Sequence, residues 1–338
     1  MPGPLSAMNR PEVCMIIDSH VHIFSFPSFR DLSNHIRTME DAIAFRTRYP
    51  ELYKRNATDE PIDNTDELIR DMDENGVDFA IVQARVGRIS NDMVADAAKR
   101  HPDRMAALAR LGHDQQSAGY LDDPGPVRDA APTELDRCLG TLGMKGVGET
   151  SVRAFSTEIH PERIAKDIAG IMRIVEKHQV PIQFPTAWTQ FRGALYYGDP
   201  IWVDEVAGRH PTVPVILTKM GRSITRYFES AMVVAMRNVN VYFDVVGTNP
   251  EHLRLAIDKI GADRIMFGTD WSTILHWLRV PATLHQIHLK VLDDARLTNA
   301  EREQVLRKTA AKVFKLDALT ERSPSGSLPS QERLDIGA

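Results

Sequence analysis

Two histidines stand two residues apart in Ile17-Asp18-Ser19-His20-Val21-His22. Alternate residues of an extended strand point to one side, so both imidazoles face the same space. Neutral ring nitrogens placed in this way can share one metal ion. A second cluster closes the last apolar run of the chain, Ile265-Met266-Phe267-Gly268-Thr269-Asp270-Trp271. A carboxylate at Asp270 could ligate the same ion, or orient a water and take its proton. Its other reading is a cap on the following helix.

These residues act together only if the fold brings both ends of the chain into contact. Eight short apolar runs supply such a frame: Met15–Ile17, Phe79–Val82, Met105–Ala109, Met144–Val147, Val180–Phe184, Val213–Leu217, Val239–Val246 and Arg264–Phe267. Their nearly continuous apolar character suits strands buried on both faces of a parallel sheet. Segments with helical spacing separate them, most clearly Ile164, Ile168, Ile171 and Val175. The pattern predicts an α/β chain folded as a (β/α)₈ TIM barrel, whose eighth strand lies beside its first. A doubly wound open sheet is the runner-up, and no GxGxxG follows an early strand. The connection after the first run is long and should form a cap insertion at about 24–63 over the catalytic face. Residues 1–13 read as a flexible leader, 14–318 as the barrel, and the Ser-, Pro- and Gly-rich residues 319–338 as a disordered tail.

The chain has 338 residues, 43% of them hydrophobic and 26% charged, which excludes a disordered protein. With 41 basic and 46 acidic residues the net charge is −5, so no nucleic-acid partner is expected. No apolar run nears the ~18 residues of a membrane span, so no membrane partner is expected. Cys14 and Cys138 make neither a disulfide framework nor a metal motif, which points to a reduced, cytoplasmic protein. Arg85, Arg110, Arg153, Arg192 and Arg222 all fall at or just after strand ends. Guanidinium forks match carboxylates, so the expected partner is a small anionic substrate. Taken singly, each arginine reads better as a solvated surface residue. Trp188 could wall the pocket, or simply pack between barrel and helices. His285 and His288 share one helical face and read as structural.

IDSHVHIF and MFGTDW, with the runs between them, resemble the amidohydrolase superfamily, specifically its amidohydrolase-related (family 2) branch, over roughly residues 15–317. The resemblance implies a barrel that often carries one divalent metal and hydrolyses lactones or amides, or decarboxylates without oxidation. Such barrels often pair, which implies a possible homodimer. His20, His22 and Asp270 match the family pattern. Where the family has a histidine ending strand five, this chain has Pro185; where strand six ends in H-M-G, it has Lys219. Proline offers no ligand atom and a lysine ammonium competes with a cation. The expectation is therefore a pocket without cofactor, in which Lys219 pairs with Asp270 and supplies the missing positive charge. The alternative is one zinc or manganese ion on His20, His22 and Asp270, with Glu149 as a fourth ligand. The expected reaction is hydrolysis of a carboxylated, lactone-like substrate. Asp270 would activate water, and Lys219 with His20 or His22 would stabilise the oxyanion. The alternatives are decarboxylation on the same barrel and an inactive barrel that only binds a ligand.

Overall fold

Among the described residues, seven parallel strands and one isolated rung form the barrel wall. The computed structural model describes residues 15–27, 31, 35, 44, 48–55, 59–84, 89–111, 121, 123–187, 194–271 and 283–316. The leader at 1–13, the tail at 319–338 and much of the cap at 24–63 lie outside them. Strands β1 (Ile17–Ile23), β2 (Phe79–Ala84) and β3 (Met105–Ala107) pair in chain order. So do β4 (Ile182–Pro185), β5 (Val215–Thr218), β6 (Val241–Asp244) and β7 (Ile265–Met266). Parallel bridges Ala109↔Val147 and Val147↔Ile182 join the two sheets, and Val21↔Trp271 closes the ring.

The fourth predicted strand, at 144–147, is thus a single rung. Gly146 and Gly148 flank Val147, and a side chain on Gly148 would meet Gln183 Oε1 at 2.5 Å. The chain is narrow there because two buried glutamines, Gln83 and Gln183, take the space.

The principal helices are α1 (Thr65–Asn75), α2 (Asn91–Arg100), α3 (Gly125–Gly140), α4 (Pro161–His178), α5 (Val203–Arg209), α6 (Thr225–Arg237), α7 (Pro250–Ile260) and α8 (Leu284–Asp294). In α4, Ile164, Ile168, Ile171 and Val175 are buried, as their spacing requires. Pro161 opens that helix, where its missing N–H costs nothing, and left-handed Gln179 ends it. Ser90, Asn249 and Thr283 accept backbone N–H bonds at the starts of α2, α7 and α8. No helix among the described residues is long and apolar enough to cross a membrane.

The seam between β1 and residues 267–271 positions the chemistry. Ser19 N donates to Phe267 O, and Asp270 N donates to His20 O, both at 2.9 Å. The buried Asp18 carboxylate accepts from Thr269 N at 3.1 Å, Thr269 Oγ1 at 2.5 Å and His20 N at 3.1 Å. His285 on α8 lies behind it, with Nε2 3.4 Å from Asp18 Oδ2. His288 donates from Nδ1 to Leu284 O and accepts from Gly247 N at Nε2.

Gly268 lies where β1, β6 and the seam meet. A Cβ there would stand 3.1 Å from His20 Cβ, 3.2 Å from Asp244 Cβ and 3.3 Å from Ser19 Oγ. Two of these neighbours are themselves Cβ atoms fixed to backbone. Gly268→Ala should therefore destabilise the fold by about 1–3 kcal/mol through overpacking. Urea unfolding followed by tryptophan fluorescence measures this as a lower midpoint at unchanged slope.

Candidate active site

Five side chains from four parts of the wall meet at one point. β1 supplies His20 and His22, the segment after the Val147 rung supplies Glu149, the end of β5 leads into Lys219, and the seam supplies Asp270. The two histidine Nε2 atoms are 3.2 Å apart. Asp270 Oδ1 is 3.2 Å from His22 Nε2 and 3.6 Å from His20 Nε2. Glu149 reaches within 3.7 Å of His20 Nε2 and 3.8 Å of His22 Nε2. His20, His22 and Asp270 are buried.

The tautomers follow from what lies behind the rings. His20 Nδ1 faces the Asp244 carboxylate at 2.7 Å, and His22 Nδ1 faces Ala84 O at 3.2 Å. Both partners accept, so both Nδ1 atoms carry hydrogen and both Nε2 lone pairs turn inward. Two lone pairs 3.2 Å apart repel unless a proton or a cation lies between them. Burial and the Lys219 ammonium oppose protonation of His20, yet Glu149 and Asp244 outweigh them and raise its pKa. The cluster draws positive charge to its centre. Two imidazoles and the Asp270 carboxylate, with the rings fixed by outer acceptors, lie close enough to hold one divalent cation such as zinc or manganese.

Lys219 enters from a strained turn. Its N–H donates to Asp244 Oδ1 at 2.7 Å. From Lys219 to Ser223 every residue has positive φ, between 37° and 76°. Gly221 is obligatory in this run, since its Cβ would meet Phe228 N at 2.4 Å. Strain of this kind persists where the surroundings over-determine it, and here it aims two cations inward. Lys219 Nζ is hydrogen-bonded to Glu149 Oε1 and lies 3.4 Å from His20 Nε2. It is 3.9 Å from Asp270 Oδ2, so Glu149, rather than the expected Asp270, is its close partner. Arg222 Nη2 approaches the same Asp270 oxygen at 3.7 Å. Burial would raise both carboxyl pKa values. The Lys219 ammonium and the two imidazoles outweigh it, holding Glu149 at about 2 and Asp270 well below the usual range.

Other expected site residues fare differently. Arg85, Trp188 and Arg192 lie outside the described residues. Arg110 is buried, its main chain bracketed by the Asn91 amide. Arg153 donates to Leu121 O and sits over the Tyr197 ring, 5.3 Å from its centroid. Trp271 turns to α1, where its Nε1 donates to Asp71 at 2.8 Å. Asp244 was not among the expected residues, although an aspartate inside the apolar run 239–246 was a signal that it is buried for a reason.

A model of the amidohydrolase family, described as "Amidohydrolase", matches residues 17–316. The gamma-resorcylate decarboxylase of Rhizobium radiobacter is 25% identical over 344 residues, covering 83% of this chain and 95% of that protein. A 2,6-dihydroxybenzoate decarboxylase solved with 2,6-dihydroxybenzoate superposes with a TM-score of 0.57 at 19% identity, over 91% of this chain and 100% of that one. A dihydroxybenzoic acid decarboxylase from Polaromonas sp. JS666, solved with bound manganese and the inhibitor 2-nitroresorcinol, gives 0.58 at 19% identity, over 90% and 97%.

Two expectations are corrected here. The lactone-type hydrolase gives way because the curated sequence relatives matched over 95% of their length are gamma-resorcylate decarboxylases, whereas the solved structures, a probable 2-pyrone-4,6-dicarboxylic acid hydrolase among them, are under 25% identical and show the fold alone. The cofactor-free pocket gives way because the inward-facing donor set fits a cation and a decarboxylase neighbour holds manganese.

The Asp244 carboxylate orients the His20 ring, so Asp244→Asn should weaken manganese binding by about 10–100-fold. Calorimetric titration of the metal-stripped chain measures it, and wild type should take up one equivalent.

Proposed function

The chain belongs to the amidohydrolase family, and we propose that it is a non-oxidative decarboxylase of a small hydroxylated aromatic carboxylate. One observation carries this reading: the match to gamma-resorcylate decarboxylase extends over 95% of that protein. The charge arrangement supports it. Lys219 and Arg222 both approach Asp270 Oδ2, so the mouth of the cluster offers two cations to an incoming carboxylate. A divalent cation on His20, His22, Asp270 and Glu149 supplies Lewis acidity when bound, favouring ionised oxygen in a ligand that reaches it.

Asp270 moves the proton in this reading. It is held ionised and so begins as an acceptor. An ortho hydroxyl of the substrate gives its proton to Asp270, leaving an electron-rich phenoxide. Asp270 then passes that proton to the ring carbon that bears the carboxylate. The bond to the carboxylate breaks, its electron pair restores the aromatic ring, and carbon dioxide leaves. The phenoxide takes a proton from water, so the net change consumes one proton per carbon dioxide released. Arg222 and Lys219 hold the carboxylate while the ring carbon is protonated. Cys138, which is buried and unpaired, accords with a reduced cytoplasmic compartment.

The test is release of carbon dioxide from a panel of hydroxybenzoates that includes 2,6-dihydroxybenzoate, with the decarboxylated phenol identified by chromatography. Equimolar carbon dioxide and phenol are expected. Turnover of lactones with no carbon dioxide from any hydroxybenzoate would overturn the reading. Asp270→Asn should lower kcat by about 10²–10⁴-fold, the range for a lost general acid or base. Arg222→Met should act mainly on KM.

A further inference from the structure

Lys219 is placed where it contests the centre. Its ammonium is hydrogen-bonded to Glu149 Oε1, lies 3.4 Å from His20 Nε2 and 3.9 Å from Asp270 Oδ2. It therefore touches Glu149 and borders His20 and Asp270, two of the three groups that fit a divalent cation. An ion seated on His20 Nε2 and a Glu149 oxygen would meet this ammonium at close range, where buried like charges repel strongly. The Lys219 backbone cannot retreat, because its N–H is bonded to Asp244 Oδ1 and the residues after it run through a left-handed turn. The Thr218 hydroxyl also donates to Glu149 Oε1, so Glu149 stays in place if the ammonium swings away. Lys219 is 4% exposed, so the charge is poorly screened by water.

We propose that Lys219 is a built-in competitor that sets the divalent-cation affinity of this centre. In the metal-free chain its ammonium is hydrogen-bonded to Glu149 and lies 3.9 Å from Asp270. A cation must displace it, and so binds more weakly than the donor set alone would allow. The inference concerns the metal equilibrium and holds whatever the substrate is.

The test uses full-length chain purified with manganese and titrated with a chelator, following manganese by electron paramagnetic resonance without substrate. This order keeps each variant folded while it is measured. Lys219→Met, which keeps length and removes charge, should hold manganese at least tenfold more tightly than wild type. Lys219→Arg, which keeps the charge, should stay within about threefold of wild type. Equal or weaker retention in Lys219→Met overturns the inference. So does a gain in Lys219→Arg as large as that in Lys219→Met, because charge is then not the cause. If no variant and no wild-type chain retains manganese, the metal centre itself falls, and the inference with it. A failure of the decarboxylase assay alone leaves this result readable.

Discussion

Backbone pairing across the barrel seam is the constraint on which the site depends. His20 O accepts from Asp270 N, and Ser19 N donates to Phe267 O, so the first strand and the last turn are stitched residue by residue. That pairing places a histidine from one end of the chain 3.6 Å from an aspartate at the other. The Asp18 carboxylate strengthens the stitch, bonding Thr269 through main chain and side chain at once. Asp270 itself has φ 56°, a conformation unfavourable for a residue with a Cβ. The seam holds it there, and the carboxylate points inward as a result.

Around this seam the barrel buries more charge than a core tolerates unpaired. Asp244, Lys219 and Asp270 are buried, and Glu149 nearly so. Isolated, each would cost several kcal/mol in lost solvation. They persist because each serves two partners. Asp244 bonds His20 with one oxygen and Lys219 N with the other. Glu149 accepts from both Thr218 and Lys219. Such a network is stiff, since moving one member unpairs the next. Stiffness is what the proposed metal centre and proton-moving carboxylate both need.

Much of this was legible in the sequence, for identifiable reasons. His20, His22 and Asp270 stood out because strand alternation and the order of a closed barrel suffice to bring them together. The strands were visible as apolar runs, and the fourth, Met144–Val147, pairs only as a single rung because Gly146 and Gly148 leave room for Gln83 and Gln183. Asp244 was passed over within the apolar run 239–246, although a carboxylate in a buried strand must have a partner. The partner of Lys219 depended on the left-handed turn at 219–223, which no residue but Gly221 announces. The choice between hydrolysis and decarboxylation was not legible at all, because both reactions use the same carboxylate, imidazole and cation.

The proposed centre gathers His20, His22 and Asp270, with Glu149 beside them, around one divalent cation. Diffraction at the manganese absorption edge from crystals grown with manganese tests it most directly. One strong anomalous peak is expected within about 2.0–2.3 Å of both Nε2 atoms and of an Asp270 oxygen, with the Lys219 ammonium displaced from Glu149. A cluster with no anomalous peak, and Lys219 still on Glu149 at saturating manganese, would contradict it.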